Sequence, residues 1–113
     1  IGCTEGISGT DVVFFENGAG QELTPGFAGP GALCQKLTRT WFYRDDEKEP
    51  KSADWALGLM EQCFASHANF MLNLSPDPDG RIPAPLAARF AEIGARVSFP
   101  APLTELPAGW LRR

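Results

Sequence analysis

Glu16 closes the apolar run at residues 11–16 (DVVFFE) and is followed at once by Asn17-Gly18. A carboxyl group at the end of such a run, facing a loop, is placed to give or take a proton. Its plainer role is that of an ordinary strand-ending carboxylate. Glu22, in the same glycine-rich stretch, is a second carboxylate of that kind. Trp41 opens the aromatic trio WFY and offers a large flat face with one N–H donor; large aromatics serve most often as packing. Asn73 and Ser75 end the apolar stretch at residues 69–74 (NFMLNL). Either can hydrogen-bond a ligand hydroxyl, and Asn73 can equally tie down the loop that follows.

Other chemistries are poorly supplied. Asp77 and Asp79 lack the later acidic ligand and the sixth-position glycine of an EF-hand calcium loop, and Asp79-Gly80 reads as a tight turn. His67 is the only histidine, so no multi-histidine metal site exists within the chain, and capping or a surface position is its simpler use. Cys3, Cys34 and Cys63 are too few for a disulfide framework and too widely spaced for a zinc motif. They read as buried thiols, with a Cys3–Cys34 bridge open to an oxidising compartment. No cofactor is expected. Lys and Arg number 10 against 14 Asp and Glu, a net charge of -4 without a basic stripe, which argues against a nucleic-acid partner. No apolar stretch approaches the roughly 20 residues that span a bilayer, and no signal-peptide pattern opens the chain. A first residue of Ile1 suggests a processed product or an excised segment.

The elements that would hold these residues alternate. Residues 11–16 read as a strand buried on both faces. Residues 17–31 hold five glycines and two prolines and read as a long loop. Residues 37–43 (LTRTWFY), rich in aromatic and β-branched types, read as a second strand, and the charge run at 44–51 as a solvated loop. Ser52 caps a helix with Asp54 in its first turn and Trp55, Leu59, Met60, Cys63 and Phe64 on its buried face. Residues 69–74 are a third strand, 75–85 a rigid proline-rich loop, and 85–97 a second amphipathic helix marked by Leu86, Phe90, Ile93 and Val97. Strands alternating with helices imply parallel βαβ units. Three such strands cannot close a barrel and would leave two open edges, so the chain reads as a slice of a larger α/β fold.

The segment at residues 69–97 (NFMLNLSPDPDGRIPAPLAARFAEIGARV) resembles glycoside hydrolase family 29, the α-L-fucosidases, which carry a run like NGNLLLNVGPxxDGxIP and then a helix with an LxxIG-type stretch. Asn69, Leu72, Asn73, Pro76, Asp79, Gly80, Ile82 and Pro83 fall in register, and Ile93-Gly94 fits the helix signature. Trp41-Phe42-Tyr43 is similar to the family's SWGY, Lys51-Ser52 to its KS helix start, Cys34 to a cysteine before SWGY, and Glu16 to the Glu of a Pro-Glu motif. Here His67-Ala68 replaces the family's Asn-Gly, Phe70 an aliphatic residue, Ser75 a glycine, Phe15 the proline before Glu, and Gly31-Ala32 a Trp-Glu pair.

The resemblance implies an α/β fold made of the C-terminal strand-helix units of a (β/α)8-type barrel, incomplete on its own. Residues 1–99 would be the barrel segment and 100–113 a proline-rich extended tail. The implied activity is retaining hydrolysis of α-L-fucosyl linkages in glycans or glycoconjugates. Such hydrolysis needs two carboxyl groups about 5–5.5 Å apart, and barrel enzymes carry them at the C-terminal ends of strands. Glu16 is then the candidate general acid/base, Trp41 and Asn73 the candidate fucose contacts, and the nucleophile an Asp on an earlier strand to which nothing here corresponds. Implied partners are fucosylated glycans and the remaining barrel segments, from the same or another chain, with a homo-oligomer as a further option, in an extracellular, periplasmic or lysosomal-type compartment. The competing expectations are a non-catalytic fucose-binding module and a self-assembling remnant of the fold.

Overall fold

The computed structural model describes residues 11–16, 22–47 and 49–110. Three parallel strands, β1 (Val13–Glu16), β2 (Gly31–Lys36) and β3 (Ala68–Asn73), lie in the order β1-β2-β3. Helix α1 (Ala53–Ala65) joins β2 to β3, and α2 (Ala84–Arg96) follows β3. Phe15, Leu33 and Phe70 stand opposite one another in the register, and together with Cys63 and Leu59 of α1 they form one apolar cluster. A second cluster joins Leu37, Ala53, Ala56, Leu86 and Ile93, with Leu72 packed against it. Both helices therefore lie on one face of the sheet. Side chains alternate along a strand, so Glu16, Cys34, Lys36, Met71 and Asn73 share the other face.

The second strand is not where aromatic composition places it. Residues 37–43 are loop, and β2 is the preceding GALCQK, buried along nearly its whole length. Gly31 and Ala32 are poor strand formers by type, and their neighbours decide the matter. Phe27, from the connection before β2, lays its ring on the strand: a Cβ at Gly31 would stand 2.6 Å from it. Phe27 also meets Phe15 edge-on at 5.0 Å, so an aromatic side chain covers the sheet where β1 and β2 pair. The connection ends at Pro30, one residue before the boundary read from the sequence. Glu22 lies in it, exposed.

Helix α1 starts as the sequence predicts, with Ser52 accepting the Trp55 N–H at its N-terminus. Its most buried positions are the small residues Ala53 and Ala56 together with Cys63, which let the helix sit close to the sheet. Trp55 stands at the edge, with the Lys51 ammonium 4.1 Å from its ring centre. Helix α2 buries Leu86 and Ile93 and leaves Phe90 exposed. Its Arg89 donates to the Lys51 carbonyl at 2.8 Å. His67, between α1 and β3, has φ of 53°, a left-handed conformation that Asn adopts readily and His is among the few others to tolerate. Asn is the type expected there from the family pattern. The segment after α2 forms neither helix nor strand through residue 110. It is docked all the same: Phe99 meets Phe64 at 5.8 Å, the Trp110 ring meets His67 edge-on, and Trp110 Nε1 donates to the Ala28 carbonyl at 3.2 Å.

Candidate functional site

All three strands run the same way, so their carboxyl ends lie at one end of the sheet. Glu16 ends β1 and Asn73 ends β3. In the register Glu16 stands beside Cys34, and the next row up pairs Lys36 with Asn73. Two strand spacings, about 10 Å, separate the β1 and β3 ends across the sheet. Glu16 is half-buried, and its charge, after burial, helps raise the Cys34 thiol above the ordinary range. Cys34 and Cys63 are buried free thiols. Cys3 lies outside the described residues.

Trp41 lies in the loop after β2, not at a strand end, and 40% of it is exposed. The loop owes its shape to a residue that a solvated charge run hides. The Glu47 side chain is only 3% exposed. Its carboxylate accepts the backbone N–H of Arg39 and that of Thr40 at 3.1 Å, lies 2.5 Å from the Thr40 hydroxyl, and pairs with the Arg39 guanidinium at 3.8 Å. A carboxylate can accept several bonds at once, so one buried side chain gathers residues 39 and 40 into a tight turn. The only sequence signal was an acidic residue seven positions after a threonine. Lys51 is also partly withdrawn from water. Burial, then the nearby Lys36 charge, lowers its ammonium from the usual lysine range, and Glu47 offsets part of this. Its Nζ donates to the Lys36 carbonyl at 2.9 Å.

A second clamp holds the next residue. The Trp41 carbonyl accepts from Asn73 Nδ2 at 2.8 Å and from the Ser75 hydroxyl at 2.6 Å. Asn73 thus ties down chiefly the loop that carries Trp41, rather than the loop that follows it in sequence, the one expected. Ser75, where the family pattern has glycine, contributes a second donor to the same oxygen. Beyond it Asp77 Oδ1 accepts the N–H groups of Asp79 (3.0 Å) and Arg81 (2.8 Å), and Gly80 turns the chain with φ of 80°. These bonds fix the loop that faces Trp41.

Between the two loops lies an open cleft of about 490 Å³, lined by Trp41, Phe42, Tyr43, Asn73, Ser75 and the 76–78 segment. The structure therefore brings Trp41 and Asn73 together, with Glu16 on the same sheet face two strands away. His67 is at the opposite end of the sheet, next to Trp110. Among the described residues no group of three or more His, Cys, Asp or Glu could hold a metal ion, and no helix is long and apolar enough to cross a membrane. The carboxyl ends of parallel strands are where parallel α/β enzymes place their sites, and the cleft at that end of this sheet carries an indole and an amide.

The chain belongs to the α-L-fucosidase family, whose model matches residues 6–99. Solved structures agree. The α-L-fucosidase isoenzyme 1 of Paenibacillus thiaminolyticus is 26% identical with a TM-score of 0.60, over 75% of this chain and 21% of that one. The α-L-fucosidase AlfC of Lactobacillus casei, in complex with its α-L-fucose product, is 18% identical with a TM-score of 0.58, over 80% and 29%. A family 29 fucosidase of Ruminococcus gnavus, in complex with fucose, is 19% identical with a TM-score of 0.51, over 57% and 13%. The last two likenesses concern the fold. The chain thus spans less than a third of each of these structures. No curated protein sequence matches it.

Proposed function

We propose that this chain is the C-terminal part of the (β/α)8-type catalytic barrel of a retaining α-L-fucosidase, residues 1–99 forming barrel wall and 100–113 a tail. On this reading the polar face with Glu16, Lys36 and Asn73 is the barrel interior, and the helices are its outer ring. The observation that carries the reading is the shared cleft of Trp41 and Asn73 at the carboxyl ends of the strands, in a chain of this family. Fucose lies in that cleft with its apolar face and methyl group on the Trp41 indole. Asn73, its amide N–H engaged with the loop, offers Oδ1 to a sugar hydroxyl. Glu16 protonates the leaving oxygen and later deprotonates water. The nucleophile, a carboxylate standing about 5–5.5 Å from that of Glu16, attacks the anomeric carbon and comes from strands outside this chain, and fucosylated glycans are the substrates.

Two measurements test this. Titration with methyl α-L-fucoside should show binding that Trp41→Ala abolishes and a folded Trp110→Ala keeps; equal loss in both variants counts against the cleft. The 113-residue chain should not hydrolyse an aryl α-L-fucoside, with or without Glu16→Gln. Turnover by the unaltered chain that the Gln variant loses would place a complete site within it. One observation favours a second reading, self-assembly of this unit: among the described residues β1 and β3 each pair only with β2, leaving two edges. Sedimentation of a folded monomer at low and high concentration would exclude it.

A further inference from the structure

Asp45, Asp46 and Glu47 follow one another in the loop after β2, and the first two are engaged at the surface. Asp45 accepts the Tyr43 hydroxyl at 2.8 Å, and Asp46 forms a fork with Arg44 at 2.9 and 3.1 Å. Glu47 differs. Its N–H donates to the Arg44 carbonyl at 3.2 Å, and beyond that turn its side chain runs inward, with 3% of it exposed. Withdrawing a carboxylate from water is costly unless hydrogen bonds replace its hydration. The Arg39 guanidinium, 3.8 Å away and 75% exposed, replaces little of it. The backbone just ahead of Trp41 does more. One carboxylate oxygen accepts the Arg39 N–H, and the other accepts the Thr40 N–H at 3.1 Å and lies 2.5 Å from the Thr40 hydroxyl.

We infer that Glu47 is a positioning residue for sugar binding: it fixes the backbone that presents the Trp41 indole, and touches no ligand itself. The inference rests on the reading of the Trp41 cleft given above, which Glu47 does not line. The chain is held on both sides of the indole. Ahead of it the Thr40 N–H is bound to Glu47, and the Thr40 carbonyl accepts the Thr38 hydroxyl at 2.7 Å. Behind it the Trp41 carbonyl accepts from Asn73 at 2.8 Å and from Ser75 at 2.6 Å. The bonds behind come from β3 and the loop that follows it. Those ahead come from within the Trp41 loop, and Glu47 supplies most of them. With the backbone fixed, a sugar has only the torsions of one side chain to order. A loop released from Glu47 would have to be ordered as well, which lowers affinity.

The test combines heteronuclear NMR relaxation of the three tryptophan indoles of the 113-residue chain with titration by methyl α-L-fucoside. In Glu47→Ala the Trp41 indole should become mobile while those of Trp55 and Trp110 stay as they were. The affinity of the folded protein should fall roughly two- to tenfold, the range for ordering one further side chain on binding. Glu47→Gln keeps one acceptor oxygen and should recover part of both losses, and it carries the test if the Ala variant does not fold. Gly31→Ala, at the other end of β2, destabilises the chain without touching the loop and should leave affinity and the Trp41 indole unchanged. An affinity unaltered in the Glu47 variants, or an equal fall in Gly31→Ala, overturns the positioning role and leaves the Trp41 cleft standing. Failure of the unaltered chain to bind the fucoside overturns the cleft and the role of Glu47 with it.

Discussion

The two faces of the sheet are built from alternate residues of the same three strands and obey different rules. On one face Phe15, Leu33, Ala68 and Phe70 meet α1 and the Phe27 connection. There the identity of a side chain is set by shape and by exclusion of water. On the other face Glu16, Cys34, Lys36, Met71 and Asn73 follow one another with no common polarity, and Met71 is 46% exposed. A carboxylate, an ammonium and an amide stand there at the strand ends, where each costs β-propensity, and of the three the amide holds the Trp41 loop. The first face explains why the chain adopts this shape, and the second carries the polar groups on which the proposed function rests.

That contrast can be broken by experiment. Leu33→Ala, on the helix-covered face, should cost about 2–5 kcal/mol in urea unfolding, while Met71→Ala, on the other, should cost under about 1 kcal/mol. Similar losses would mean that the second face is as tightly packed as the first. Gly31→Ala should cost about 1–3 kcal/mol, since the new methyl would displace the Phe27 ring, and a Phe27→Ala background should recover part of it. Glu47→Ala lies outside the sheet and should cost about 1–3 kcal/mol by stranding the Thr40 N–H. Hydrogen exchange at the Thr40 amide should accelerate in step, and Glu47→Gln should restore part of the protection.

A further effect is expected from pH. Burial raises the Cys63 thiol to about 11 from the ordinary 9.0. The unfolded chain releases that proton first as pH rises, so between pH 9 and 11 the unfolded state binds fewer protons than the native one. Stability is then full below pH 9 and falls across that window. Cys63→Ala should flatten the decline, and an unchanged slope would assign it to other groups.

The helices and the third strand were legible in the sequence because their signals are local: Ser52 before an apolar period, Asp79-Gly80 in a turn, Pro83 and Pro85 at a helix start. The second strand was misplaced because its residues are ordinary by type and its position is set by Phe27 and by pairing with both neighbours. Aromatic composition pointed instead to the loop that carries Trp41. Glu47 was hidden for a related reason. In a run of seven charged residues among eight, nothing local separates the one carboxylate that turns inward. Trp41 and Asn73 came from the resemblance, and the bond between them depends on a loop and a strand end 32 residues apart.

The hydrogen bond from Trp110 to Ala28 joins positions 82 residues apart. A ribosome makes all three strands before Trp110 exists, so that latch cannot close until every strand of the sheet has been synthesised. Closing so long a loop costs only about 0.6 kcal/mol more for each doubling of its length, so the delay comes from the order of synthesis more than from entropy. Until then, the segment leading into β2 is held by other contacts, among them the Phe27 ring on Gly31 and the bond from the Val13 N–H to the Pro30 carbonyl at 3.1 Å.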